Sequence, residues 1–256
     1  MQSHYDGEVW GLDMIDGGKQ ILTSGDDNRI MLINTESMTV ERTGKVEGPE
    51  GSDYSKMPKS TASSMGIYSA DKQSRAIAYS KKHSHVANSN NYGEITVRDF
   101  NDFEKTITTL KEPKEWSEAL RYSPCEKYLA CGSHDNALYI YEISEEGEYS
   151  LYSTCTRNSS FITSLDWSKD SLMIQTNSGS HEKLYYNVAE KKSAPSCGPA
   201  EWATMTSRLS WNTAGAYPEG CGDMTHINSV WEQDNLLLSG DDWGLINVFN
   251  APCMDH

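Results

Sequence analysis

Five segments of the chain repeat one local pattern, and any fold must accommodate all five. They cover residues 24–34, 90–99, 132–142, 178–187 and 239–250. Each opens on turn residues that tolerate positive φ and continues with the period-2 alternation of a strand. Each closes on a pair whose second member is Asn, Asp or Glu: Ile33-Asn34, Arg98-Asp99, Tyr141-Glu142, Tyr186-Asn187 and Phe249-Asn250. A hairpin that recurs five times in one chain implies repeated antiparallel sheets, because a single hairpin cannot bury an apolar face alone.

The closing pairs stand where WD repeats carry their Trp-Asp dipeptide. Positions 33, 98, 141, 186 and 249 are separated by 65, 43, 45 and 63 residues. A WD blade takes roughly 40–45 residues, so the middle spacings fit one blade each and the outer two carry extra chain. The expected fold is therefore all-β, a WD40-type β-propeller spanning 1–256 with about five recognisable blades. The blades fall near 4–45, 70–111, 115–156, 160–192 and 225–253, with loop insertions near 47–70 and 193–222. The alternative at each insertion is a degenerate half-blade.

Inner strands are expected at 8–12, 75–79, 118–122, 161–167 and 226–231, with second strands at 20–23, 85–87, 128–131, 172–175 and 236–238. Outer strands are expected at 38–40, 106–110 and 150–154. Residues 111–120 contain helix formers, but the repeat places their second half in a strand, and tertiary register overrides propensity. His4 lies at the start of an inner strand, and the sequence stops six residues after Asn250. The expectation is an open or incomplete arc of blades; a closed five-bladed ring is the alternative.

Composition narrows function. The formal net charge of -15 disfavours charge-driven binding to nucleic acid or anionic membrane. No run approaches the roughly 18 apolar residues of a membrane span, and residues 1–6 lack the basic head and apolar core of a secretory signal. The six cysteines lack C-x-x-C spacing, which suits buried free thiols in a reducing compartment. Asn158-Ser159-Ser160 formally matches a glycosylation acceptor, but without a secretory context it reads as a chance match. Residues 145–148, three glutamates and a glycine, read as a solvated turn.

Catalysis is not expected. The chain has no G-x-S-x-G turn and no glycine-rich loop with a phosphate-binding lysine. Its seven histidines do not cluster with other ligands at metal-site spacing, and His83-Ser84-His85 is only a pair. No cofactor and no metal are expected. His4, Asp27, Asp135 and Asp242 suit hydrogen bonds within the blades. Asp26, His134 and Asp241, just before each hairpin Asp, are the candidates for facing a partner, together with Trp243, a large ring in a tight turn.

The order of elements resembles one family in particular. The segment His4-Tyr5-Asp6-Gly7-Glu8-Val9-Trp10-Gly11-Leu12 is similar to a blade start of the echinoderm microtubule-associated protein-like family. So are Tyr122-Ser123-Pro124 with residues 128–136, and 175–179 with Leu184-Tyr185-Tyr186. The last third follows the same order: Glu201-Trp202-Ala203-Thr204, Tyr217-Pro218-Glu219-Gly220, Asp223, His226-Ile227-Asn228-Ser229, residues 239–245 and Pro252-Cys253. The resemblance implies a non-enzymatic interaction protein of the cytoplasmic cytoskeleton or ciliary axoneme. The partners it implies are tubulin, microtubule-associated proteins or other axonemal subunits, with neither nucleic acid nor membrane. A general WD scaffold, such as a substrate receptor in a signalling or ubiquitin-ligase complex, is the alternative.

Overall fold

The computed structural model describes residues 4, 8–46, 74–198, 200–216 and 226–254. The insertion expected near 47–70 lies outside them, as do Tyr217–Gly220 and Asp223 of the resemblance. Among the described residues, nineteen strands make five antiparallel sheets, each a meander in sequence order. These are the propeller blades, and the chain divides into two compact units, 1–117 and 118–256.

The first unit holds two four-stranded blades. Blade 1 is β1 (Val9–Ile15), β2 (Gln20–Gly25), β3 (Arg29–Asn34) and β4 (Thr39–Lys45); blade 2 is β5 (Ser74–Ser80), β6 (His85–Asn90), β7 (Ile95–Asp99) and β8 (Asp102–Leu110). Alternation puts Leu22, Ile30 and Leu32 of blade 1 on one face, where they pack with Ile77, Val86 and Phe103 of blade 2.

In the second unit, blade 3 is β9 (Ser117–Tyr122, starting at the boundary), β10 (Tyr128–Ser133), β11 (Leu138–Ile143) and β12 (Tyr149–Cys155). Blade 4 is β13 (Ile162–Trp167), β14 (Met173–Ser178), β15 (Lys183–Asn187) and β16 (Lys192–Ala194). Blade 5 has three strands among the described residues, β17 (Ile227–Gln233), β18 (Leu236–Asp241) and β19 (Ile246–Asn250). Ala130, Leu138 and Ile140 of blade 3 pack with Leu165, Trp167, Ile174 and Tyr186 of blade 4. Ala130, Leu138, Ile140, Leu165 and Ile174 stand at the register places of Leu22, Ile30, Leu32, Ile77 and Val86, whereas Tyr186 of β15 has no counterpart in Phe103, which lies on β8. The short strand β16 was not expected, because three residues of Lys, Ser and Ala carry no readable alternation.

The packing leaves no room at Gly132, where an added Cβ would lie 2.4 Å from Ile162 Cγ2. Gly132→Ala is expected to destabilise the second unit by about 1–3 kcal/mol through overpacking. Urea unfolding checks this, and an unchanged midpoint would show that the two blades separate at no cost.

Blade 4 turns a different face to the next stretch of chain. Asp166 and Gln175 occupy the positions that Asp13 and Leu22 hold in blade 1, and both are buried. Part of the second insertion, residues 200–216, covers them. Lys169 N donates to Glu201 O at 2.7 Å and Ala203 N to Trp167 O at 2.8 Å, so the segment runs along the end of β13. It then reaches blade 5. Arg208 donates to Ile227 O at 3.1 Å, and a short 3-10 helix, Trp211–Ala216, exchanges backbone bonds with Cys253. Ala216 closes a small core with Val230, Leu237 and Cys253. The thiols are less uniformly buried than expected: Cys131 and Cys253 are buried, whereas Cys125 is exposed.

Candidate interaction surface

The five hairpins build one rim element five times. In each, five residues lie between the last paired residues of the second and third strands: 25–29, 90–94, 133–137, 178–182 and 241–245. The fourth residue always has positive φ: Asn28 (59°), Gly93 (79°), Asn136 (68°), His181 (59°) and Gly244 (74°). Asn and Gly are the residues that enter this region most cheaply. The shared φ fixes the alignment of the loops.

That alignment corrects the grouping expected from sequence. Asp26 and His134 are second loop residues, and so is Asp242, not Asp241. Asp27 and Asp135 are third, and the residue matching them in blade 5 is Trp243, not Asp242.

The second loop residue is clasped by the second residue of the inner strand. Trp10 Nε1 donates to Asp26 at 2.9 Å, and Arg75 Nε donates to Asn91 at 2.7 Å. His134 Nε2 stands 3.2 Å from Glu118 Oε1, and Asn228 Nδ2 donates to Asp242 at 2.6 Å. Blade 4 has Gly179 at this place, with the Phe161 ring where a side chain would be. That ring stacks on His134 with centroids 4.3 Å apart. Asp26 and Asp242 also accept the backbone N–H of Glu8 and His226, at 3.0 and 3.3 Å. The Asn228 amide, then the His226 N–H, hold the Asp242 carboxyl below the usual carboxylate range.

The remaining polar residues brace the loops. His4 Nδ1 lies 2.7 Å from Asp27 and its Nε2 2.9 Å from Thr23, a hydrogen-bonded chain across blade 1. Asp27 also accepts Arg29 N at 3.2 Å, and Asp135 accepts Ala137 N at 3.1 Å and the Tyr139 hydroxyl at 2.7 Å. Asp241 accepts both Trp243 N at 3.0 Å and Leu245 N at 2.9 Å. Asn90 does the same for Tyr92 and Glu94. Arg75 is held over the rings of Trp10 and Trp116, 4.3 and 5.0 Å from their centroids, with Asp26 at 3.4 Å.

The charged side chains named in these loops are thus engaged, either inside their own blade or, as with Arg75, with the blade beside it. Trp243 differs: its side chain is 67% exposed, and the bonds to Asp241 and Asp242 and the positive φ of Gly244 fix the backbone beneath it. A rigid loop carrying an exposed indole is suited to anchoring a protein partner. Among the described residues, no group of three or more His, Cys, Asp or Glu could hold a metal ion. No helix among them is long and apolar enough to cross a membrane.

Two residues that position the surface escaped the sequence reading. Asp166 accepts Thr204 Oγ1 at 2.7 Å, Thr206 N at 2.8 Å, Thr206 Oγ1 at 2.9 Å, Ser207 N at 2.8 Å and Gln175 Nε2 at 3.2 Å. The Asn177 side chain takes both backbone groups of Leu209, accepting its N–H at 2.8 Å and donating to its carbonyl at 2.9 Å. The available signal was an acid between apolar neighbours, Leu165-Asp166-Trp167, since a buried carboxylate needs donors close by.

Comparison with known proteins adds the lineage. Residues 9–256 match the family profile described as the echinoderm microtubule-associated protein second beta-propeller. The ciliary WD repeat-containing protein ctxp80 of Euplotoides octocarinatus is 36% identical over 98% of this chain and 35% of its own length. The 77 kDa echinoderm microtubule-associated protein of Strongylocentrotus purpuratus is 43% identical over 57% of this chain and 22% of its own. The human echinoderm microtubule-associated protein-like 3 is 34% identical over 99% of this chain and 26% of its own. The chain thus spans about a third or less of these relatives' lengths. A solved structure described as the mitotic checkpoint complex contains a chain of the same fold. Its TM-score is 0.59 at 15% identity, covering 95% of this chain and 64% of that one.

Proposed function

The chain belongs to the echinoderm microtubule-associated protein family, and on that premise we propose that it is a non-enzymatic subunit of the microtubule cytoskeleton, in the cytoplasm or the ciliary axoneme. Its partners in this reading are tubulin, microtubule-associated proteins or other axonemal subunits. The microtubule and ciliary descriptions of its relatives support the assignment. The observation that carries it is the rim, where carboxylates and imidazoles brace loops and an indole is left facing outward.

Binding of this kind works by shape and polar complementarity over a rigid surface. Tubulin is itself acidic, so attraction between net charges cannot drive attachment by a chain of charge -15. The complex is therefore expected to resist moderate salt.

The test is co-sedimentation of the purified chain with ciliary doublet microtubules across a salt series. Retention at moderate salt is the expected result, and release together with soluble matrix proteins would contradict the assignment. Trp243→Ala is expected to weaken retention about tenfold or more, the effect of losing an interface anchor. Its folding stability should change by less than about 0.5 kcal/mol, as for an exposed side chain without packing. Unchanged retention would remove Trp243 from the surface.

A further inference from the structure

His83 and His85 take no part in the rim. They lie at the other end of blade 2, where the turn 81–84 joins β5 to β6, opposite the hairpin 90–94. Ser80 and His85 pair across this turn, and Ser84 closes it with a φ of 53°. His83 N donates to Ser80 Oγ at 3.3 Å, Ser84 N to Lys81 O at 3.4 Å, and Phe100 N to Ser84 O at 2.7 Å. The turn is therefore tied to the connection between β7 and β8. It is also tied to blade 1, because Lys81 Nζ lies 2.9 Å from Asp16.

Two imidazoles share this corner. Their ring centroids are 5.7 Å apart and the planes are tilted by 31°. His85 is 7% exposed, and His83 Nε2 is buried with no hydrogen-bond partner among the described residues. Neutral rings pack well in such a place. Charged rings do not, because burial removes the water that stabilises an imidazolium and two like charges oppose each other.

The charged groups around the pair do not offset this. Lys81 and Lys82 belong to the same turn, and Lys105 of β8 disfavours an imidazolium at His85. Asp99, opposite His85 on β7, attracts one, but it already accepts Asn101 N at 2.9 Å and Lys105 Nζ at 3.0 Å. Asp102, paired with Asp99, accepts Glu104 N at 3.1 Å. Burial first, then His83, hold His85 below the ordinary histidine range in spite of Asp99.

We infer that His83 and His85 make the 81–84 turn a pH-sensitive latch. With the rings neutral the latch is closed. Protonation of His85 opens it, because the imidazolium reaches water only if the turn and the first residue of β6 come away from β7. The open state binds the proton more readily. The closed state is therefore fully favoured above the ordinary histidine value of 6.5 and loses ground as pH falls from there toward the lower value of the closed form. Acid thus loosens the end of blade 2 turned away from its hairpin, together with the contacts to Phe100 and Asp16. The latch does not depend on the microtubule assignment.

The test uses the intact chain. The His85 imidazole is followed by NMR from about pH 8 to about pH 5, beside amide exchange corrected for the intrinsic effect of pH. The His85 midpoint is expected below 6.5, and His83→Gln, which removes the opposing charge, is expected to raise it. Exchange of the amides of 82–86 should speed up about threefold or more across the range, while the hairpin 90–94 stays unchanged. A midpoint at or above 6.5, a midpoint indifferent to His83→Gln, or exchange in 82–86 that does not respond to acid would each overturn the inference. Should His83→Gln not fold, the midpoint and the exchange of the unaltered chain decide.

Discussion

Replacing Asp166 with leucine is expected to lower the unfolding free energy of the second unit by about 3–6 kcal/mol, mainly by orphaning buried donors. The carboxylate accepts two backbone N–H groups, from Thr206 and Ser207, and two hydroxyls, from Thr204 and Thr206. Leucine is close in volume but accepts nothing. The hydroxyls can rotate toward other acceptors, but the two amides cannot, and each stranded amide costs roughly 1–3 kcal/mol. Asp166→Asn keeps one acceptor oxygen and turns an NH2 toward donors, so about half the loss is expected. Urea unfolding supplies the magnitude. Hydrogen exchange supplies the location: the amides of 203–209 should lose protection ahead of the rest. A loss under about 1 kcal/mol would show that residues 200–216 are held by something other than this carboxylate.

The second large effect sits on the next residue and the opposite face. Trp167 is fully buried between blades 3 and 4, its ring stacks on Tyr128 at 6.1 Å, and Nε1 donates to Arg121 O at 3.1 Å. Trp167→Ala is expected to cost about 3–5 kcal/mol, the range for emptying such a site in a core that relaxes only partly. Trp167→Phe keeps most of the apolar surface and strands the Arg121 carbonyl, so roughly 1–2 kcal/mol is expected. The two sites separate by where they loosen the protein. Trp167→Ala should speed exchange in β10, β11 and β14 and leave 203–209 protected, the reverse of Asp166→Leu. Identical exchange patterns would mean that β13 does not separate two distinct interfaces.

These positions show what the sequence discloses and what it withholds. The hairpins were legible because alternation and turn chemistry are local: a strand of period two and a residue of positive φ announce themselves within ten residues. Alignment of the last loop was not, because Ser24-Gly25-Asp26-Asp27 and Ser239-Gly240-Asp241-Asp242 read alike. The structure pairs Ser24 with Ile30 but Gly240 with Ile246, a slip of one residue. The positive-φ residues, Asn28 and Gly244, decide the matter, and they are visible in the sequence only to a reader who counts back from them. Asp166 and Asn177 stayed hidden for a different reason. Their partners lie 32–41 residues away, in a segment without periodicity, and no local pattern encodes that pairing.

The polar seam between blade 4 and residues 200–216 also has a thermal signature. Uncovering apolar surface raises heat capacity and uncovering polar surface lowers it. Parting blade 3 from blade 4 bares Leu138, Ile140, Leu165 and Trp167 and so adds heat capacity. Parting blade 4 from the segment bares mainly Asp166, Gln175, Asn177 and the threonines, so that seam contributes little or subtracts. Cooling weakens hydrophobic joints more than hydrogen-bonded ones, so the segment would still hold blade 4 in the cold after the packing between blades 3 and 4 had begun to fail.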